Sequence, residues 1–108
     1  MKFIKGLLSA LVLLLFIGGA ALGGGWLWFQ NEVSKAGPSV EQQVFVVEPG
    51  ETLTSVAARL ERVGIVSDAR LVRLKARLDG TELAIKTGEF IVEPRASISD
   101  VMGVLIEG

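Results

Sequence analysis

From Gly6 to Phe29 the chain carries no charged residue. Nothing else in it constrains folding so strongly. As a helix this stretch is roughly 36 Å long at the usual rise per residue, enough to cross the hydrocarbon core of a bilayer with some tilt. Leu7, Leu8, Leu11 to Leu15, Phe16 and Ile17 weight its first half with apolar side chains, and Trp26, Trp28 and Phe29 sit at its far end, where amphipathic rings favour the interface. Lys2 and Lys5 flank the near end, and the positive-inside rule then predicts a cytoplasmic N-terminus and residues 30–108 on the far side. A cleaved signal peptide is the rival reading: the basic start, the apolar run to Ile17 and the small residues Ala21-Leu22-Gly23 are its usual parts. The aromatic cluster beyond the glycines suits an anchor and is not needed by a cleavage site. Gly19 and Gly23, with Ala20/Gly24 and Ala21/Gly25, form either a close-packing face for another helix or simply the glycine content common in such segments.

Charge is divided as sharply as hydropathy. Of eleven basic residues only Lys2 and Lys5 precede Gln30, and all twelve acidic residues follow it, so residues 30–108 carry a net charge of −3. No basic excess points to nucleic acid. The absence of cysteine removes disulfides and thiolate metal sites. The absence of histidine removes the commonest metal ligand and general base. No cofactor site, metal site or catalytic motif is expected, and the twelve acids are scattered over turns and polar helix faces.

Residues 30–42, with Gly37-Pro38-Ser39, read as a linker. Order is expected from Gln43. Residues 43–48 form a strand ended by Pro49-Gly50. A helix follows, with Thr52 as N-cap and Leu53, Val56, Ala57, Leu60 and Val63 on its buried face, stopped by Gly64. Ile65 and Val66 return to the core. Ser67 caps a second helix with Asp68 in its first turn and Leu71, Leu74 and Leu78, helped by Val72, as its buried stripe. Asp79-Gly80 is a turn and 81–88 a loop. Residues 89–93 form a second strand ended by Pro94, and Ser97 caps a third helix with Ile98, Val101, Met102 and Leu105 inward. The expected fold class is α+β: one transmembrane helix over 6–29, then a β-α-α-β-α domain over 43–108.

Within that domain a segment repeats. Phe45 to Val56 (FVVEPGETLTSV) returns as Phe90 to Val101 (FIVEPRASISDV), and Leu60 matches Leu105 at the same offset. Strand, proline turn, hydroxyl N-cap and amphipathic helix recur as a unit, and two such units can cover each other in one core. Glu48 and Glu93 hold equivalent positions and are either a functional pair or exposed strand ends. Arg70, Arg73 and Arg77, with Lys75, form either a patch for anionic lipid headgroups or an acidic wall polymer, or a solvated face. Arg59, Glu61 and Arg62 read as a solvated face.

The stretch Val46 to Ala57 resembles the opening of a LysM module, a family that binds the N-acetylglucosamine-containing glycan of peptidoglycan or chitin. The longer pattern joins the Lys2-to-Phe29 anchor, that opening, Val63-Gly64-Ile65-Val66-Ser67, then Leu83 to Thr87-Gly88-Glu89-Phe90, and Ser97 to Val101 with Leu105 and Gly108. It resembles the N-terminal portion of the MltG (YceG-like) endolytic murein transglycosylases. The resemblance implies an inner-membrane protein whose LysM-like part, over 43–108, precedes a larger domain that cleaves nascent glycan strands to 1,6-anhydro ends. It also implies peptidoglycan strands and cell-wall synthesis proteins as partners. No residue here matches the family's catalytic motif, so the resemblance assigns no catalytic residue to this chain, and nothing supports the pyridoxal-phosphate site implied by the label aminodeoxychorismate lyase. The alternative is a membrane-tethered LysM-like glycan-binding module without enzymatic activity.

Overall fold

The computed structural model describes residues 1–108. The chain is α+β. Helix α1 spans Lys2–Ser34, strand β1 Gln43–Val47, helix α2 Leu53–Arg62, helix α3 Ala69–Asp79, strand β2 Gly88–Val92 and helix α4 Ile98–Glu107. It divides into two units, Met1–Gln30 and Asn31–Gly108.

The first unit is helix throughout from Lys2. Its leucines and phenylalanines, from Phe3 through Phe16 to Leu27, stand exposed. A helix apolar on all sides finds no favourable solvent in water, whereas lipid satisfies it. This helix is long and apolar enough to cross a membrane. Trp26 and Phe29 stack at a tilt near its end, with ring centroids 6.3 Å apart.

In the second unit β1 and β2 pair antiparallel, with Phe45 opposite Phe90. That pairing turns the sequence repeat into a local twofold. Val47 lies opposite Gly88, and Val92, its repeat equivalent, lies opposite Gln43, the equivalent of Gly88. Phe45, Val47, Phe90 and Val92 are buried, as the period-2 alternation of a one-sided sheet requires. The helices repeat the same buried positions. Val56, Ala57 and Leu60 are the buried face of α2, and Val101, Met102 and Leu105 are that of α4. The caps agree as well: the Thr52 hydroxyl accepts from the Ser55 amide at 3.2 Å, and the Ser97 hydroxyl from the Asp100 amide at 3.1 Å. Asp100 accepts in return from the Ser97 amide, which closes a capping box at α4.

The two proline turns close alike and differ in chemistry. Glu51 N–H donates to the Glu48 carbonyl, and Ala96 N–H to the Glu93 carbonyl. The third turn residue is left-handed in both, at φ 76° for Gly50 and 59° for Arg95. The first is the type II pattern that glycine satisfies without strain, whereas a side chain at the second costs about 1 kcal/mol. A Cβ at Gly50 would meet open space, so strain is its only cost. Gly50→Ala is therefore expected to lose about 1 kcal/mol by urea denaturation, while Arg95→Gly loses nothing.

Four expectations need correction. Helix α1 continues to Ser34, and the rest of the expected 30–42 linker is bonded into the fold. Gly37 N–H donates to the Arg95 carbonyl at 3.0 Å, Arg95 N–H donates to the Ser39 carbonyl at 2.7 Å, and Val33 is fully buried. The second correction concerns the start of α3: Asp68, not Ser67, caps it, accepting from the Arg70 amide at 2.9 Å. The third concerns its buried stripe, which is Ala69, Val72 and Ala76. Leu74 and Leu78 are 41% and 51% exposed, and Leu71 is half-buried. Helix α3 packs on both α2 and α4, and the two alanines let its backbone approach them closely. Leucines on that side would hold it off. Val63, expected on the buried face of α2, is also exposed, because the helix ends there and Gly64 and Ile65 turn back to bond the Glu61 and Leu60 carbonyls.

Candidate functional site

An open groove of about 460 Å³ lies between the β1–α2 turn and the loop from α3 to β2. Gly50, Glu51, Thr52, Leu53 and Thr54 form one wall, and Arg77, Glu82, Leu83 and Ile85 the other. The turn wall is rigid because the Pro49-Gly50 turn and the Thr52 cap both hold it. Leu83 is 100% exposed at the rim. A leucine held wholly in water at the edge of a groove is a ready apolar contact for a ligand.

Glu51 sets the electrostatics of the turn wall. Its carboxylate accepts from Arg59 at 2.7 and 2.5 Å, from the Ser55 hydroxyl at 2.9 Å and from the Glu48 amide at 3.0 Å. The same guanidinium donates to the Val46 carbonyl and lies 4.6 Å from the Phe45 ring centroid. Arg59 thus ties the turn, the outer edge of β1 and the helix together. It is a cross-link and not the solvated face its sequence surroundings suggest. Glu61 is likewise bonded, accepting from the Ala69 amide at 2.6 Å, which joins the end of α2 to the start of α3.

The Arg59 guanidinium holds the Glu51 carboxyl far below the usual carboxylate range, at about 2, against the opposing pull of burial. Glu51 in turn raises Arg59. The folded value lies below the ordinary 4.5, so the stabilisation is complete above 4.5 and is lost as pH falls toward 2. Allowing for solvent access to Arg59, the contribution is about 1–2 kcal/mol. Urea denaturation is expected to show wild type losing a little over half of that between pH 6 and pH 3 and most of the remainder by pH 2, with Glu51→Gln less stable at pH 6 and flatter across the range.

A carboxylate so fully engaged is neither a proton donor at neutral pH nor a free ligand for substrate. The groups left to a ligand are the Thr52 and Thr54 hydroxyls, Arg77 and Glu82, beside the apolar Leu53, Leu83 and Ile85. Arg77 and Glu82 stand 3.8 Å apart, both well exposed. The groove therefore offers hydrogen-bonding groups around an apolar floor, which suits a neutral polyhydroxylated chain. Its acids are Glu51, engaged by Arg59, and the exposed Glu82 beside Arg77, and no acidic cluster is arranged to hold a metal.

The other residues singled out in the sequence lie elsewhere. Glu48 and Glu93 are exposed at the ends of the strands, where their carbonyls close the proline turns. Glu93 accepts from the Gln42 amide side chain at 3.2 Å. Arg70 and Arg77 are exposed and Arg73 is half-buried on α3. Gly19 and Gly23 lie on an open helix face. The groove itself was not foreseen as a site. Its signal was the hydroxyl-rich turn Thr52-Leu53-Thr54 together with Leu83, an apolar residue in a loop. The chain matches no protein-family model, and no curated protein matches it.

Proposed function

We propose that this chain anchors and positions an endolytic peptidoglycan transglycosylase at the membrane, with the Asn31–Gly108 unit as a LysM-like module that holds the nascent glycan strand. In this reading α1 is a single-pass anchor in the bacterial inner membrane, with its N-terminus in the cytoplasm beside Lys2 and Lys5 and the second unit outside. Bond cleavage to a 1,6-anhydro end belongs to a catalytic domain and not to residues 1–108.

The observation that carries the reading is the groove. It joins a pre-formed turn, two hydroxyl side chains and a wholly exposed leucine, with its one buried acid already neutralised by Arg59. Saccharides are held by such sites through apolar contact with the faces of the sugar rings and hydrogen bonds at their edges. The order β-α-α-β and the β1–α2 turn support the resemblance to LysM modules, and α4 is a departure from it.

Titrating the isotope-labelled full chain in micelles with soluble N-acetylglucosamine oligomers tests it. Amide shifts are expected at Gly50 to Thr54 and Glu82 to Ile85, saturating with oligomer and absent with a glucose oligomer of equal length. Shifts confined to other surfaces, or none up to millimolar oligomer, contradict it.

A further inference from the structure

The second unit exposes two apolar patches outside the groove, and their charged surroundings are opposite. On the outer face of the sheet, Val44 and Ile91 are register partners, 64% and 57% exposed. Glu89 shares that face by strand alternation, and Glu48 and Glu93 follow the strand ends. On α3 the exposed leucines have cationic neighbours. At about 100° per residue, Leu71, Leu74 and Leu78 form one ridge opposite the buried Ala69, Val72 and Ala76. Arg70, Arg73 and Arg77 line one side of that ridge and Lys75 the other.

We infer that α3 is a peripheral membrane-contact helix, its leucine ridge entering the headgroup region of an anionic leaflet while the flanking cations bind lipid phosphates. This rests on the reading of α1 as a membrane span. The second unit starts at Asn31, within the same helix that forms that span, so covalent connection keeps it at the bilayer surface. A helix lying in the interface needs apolar side chains on one arc and long basic side chains beside them, which reach up to phosphate while their stems stay in the apolar zone. Arg70 pairs with Asp68 at 3.1 Å and Arg77 with Glu82 at 3.8 Å, both cations well exposed, while the partly covered Lys75 pairs with Asp79 at 2.8 Å. Such pairs hold weakly, and a lipid phosphate substitutes for the carboxylate. Arg73 has no ion-pair partner. An acidic wall polymer would use the cations but gives the leucines nothing to enter, and lipid uses both.

The absence of native cysteine makes the test direct. Full-length chains carrying Leu74→Cys, Leu78→Cys or Val44→Cys, each labelled with an environment-sensitive fluorophore, are reconstituted into phosphatidylglycerol or phosphatidylcholine vesicles, floated and titrated with iodide. All three sites are exposed, so folding is not at stake. In phosphatidylglycerol the labels at 74 and 78 are expected to be blue-shifted and at least threefold less quenched than the label at 44. That protection is expected to fall in phosphatidylcholine and in the triple variant Arg70→Gln, Arg73→Gln, Arg77→Gln. Equal quenching at all three sites in floated phosphatidylglycerol vesicles overturns the inference and leaves the anchor standing. Protection that appears only on adding an acidic wall polymer also overturns it. A chain that does not float overturns the anchor reading, and this inference with it.

Discussion

Leu60→Ala is expected to destabilise the Asn31–Gly108 unit by about 3 kcal/mol, and Leu105→Ala by nearly the same amount. Both leucines are fully buried, at equivalent positions of the two repeats. Removing either leaves a cavity that α3 cannot collapse into, because its contact stripe is already alanine and valine. A core of this size supplies only about 3–5 kcal/mol in total, so either variant should be largely unfolded at 37 °C. Circular dichroism melts of the full chain read this directly, with α1 helicity persisting while the second unit melts. A large loss at Leu60 with a negligible one at Leu105 would show that the repeat is a resemblance of sequence without shared load.

Gly37→Ala is expected to cost at least about 2 kcal/mol, although glycine in a stretch that reads as a linker predicts no effect. A Cβ at Gly37 would stand 2.2 Å from the Ala96 carbonyl oxygen and 3.0 Å from that of Ile65. Both are backbone atoms, one beside a proline turn and the other just after α2, so neither can give way cheaply. The variant must break the Gly37–Arg95 and Ser39–Arg95 hydrogen bonds. Amide exchange at Arg95 should rise together with the fall in melting temperature. Unchanged exchange there would mean that residues 37–39 are not held as described.

The repeat was legible because its signals are local. Alternation places Phe45, Val47, Phe90 and Val92 on one face, hydroxyl residues cap the helices, and 3.6-residue periodicity picks out Ile98, Val101, Met102 and Leu105, all of them buried. Helix α3 departs from its hydrophobic pattern for a physical reason: a helix wedged between two others uses its small residues for close contact and leaves larger ones outside. The Arg59 cross-link and the Gly37–Ser39 seam were not legible. The first joins residues eight and thirteen apart through a long side chain. The second is made of backbone groups, which carry no side-chain signature. The groove shares this difficulty, since its two walls come from segments that sequence proximity does not join.

Glycan binding at that groove, on a chain held by its own helix in a bilayer, is the claim on which the functional reading depends. Its most direct test is co-sedimentation of the full chain, reconstituted in nanodiscs, with purified peptidoglycan sacculi, beside the double variant Leu83→Asp, Thr54→Ala. Both altered residues are exposed and outside the core, so the variant should melt as wild type does. The account predicts that wild type pellets with sacculi and that the variant's affinity falls at least tenfold. Wild type remaining in the supernatant with empty nanodiscs, or a variant that pellets equally well, would contradict it.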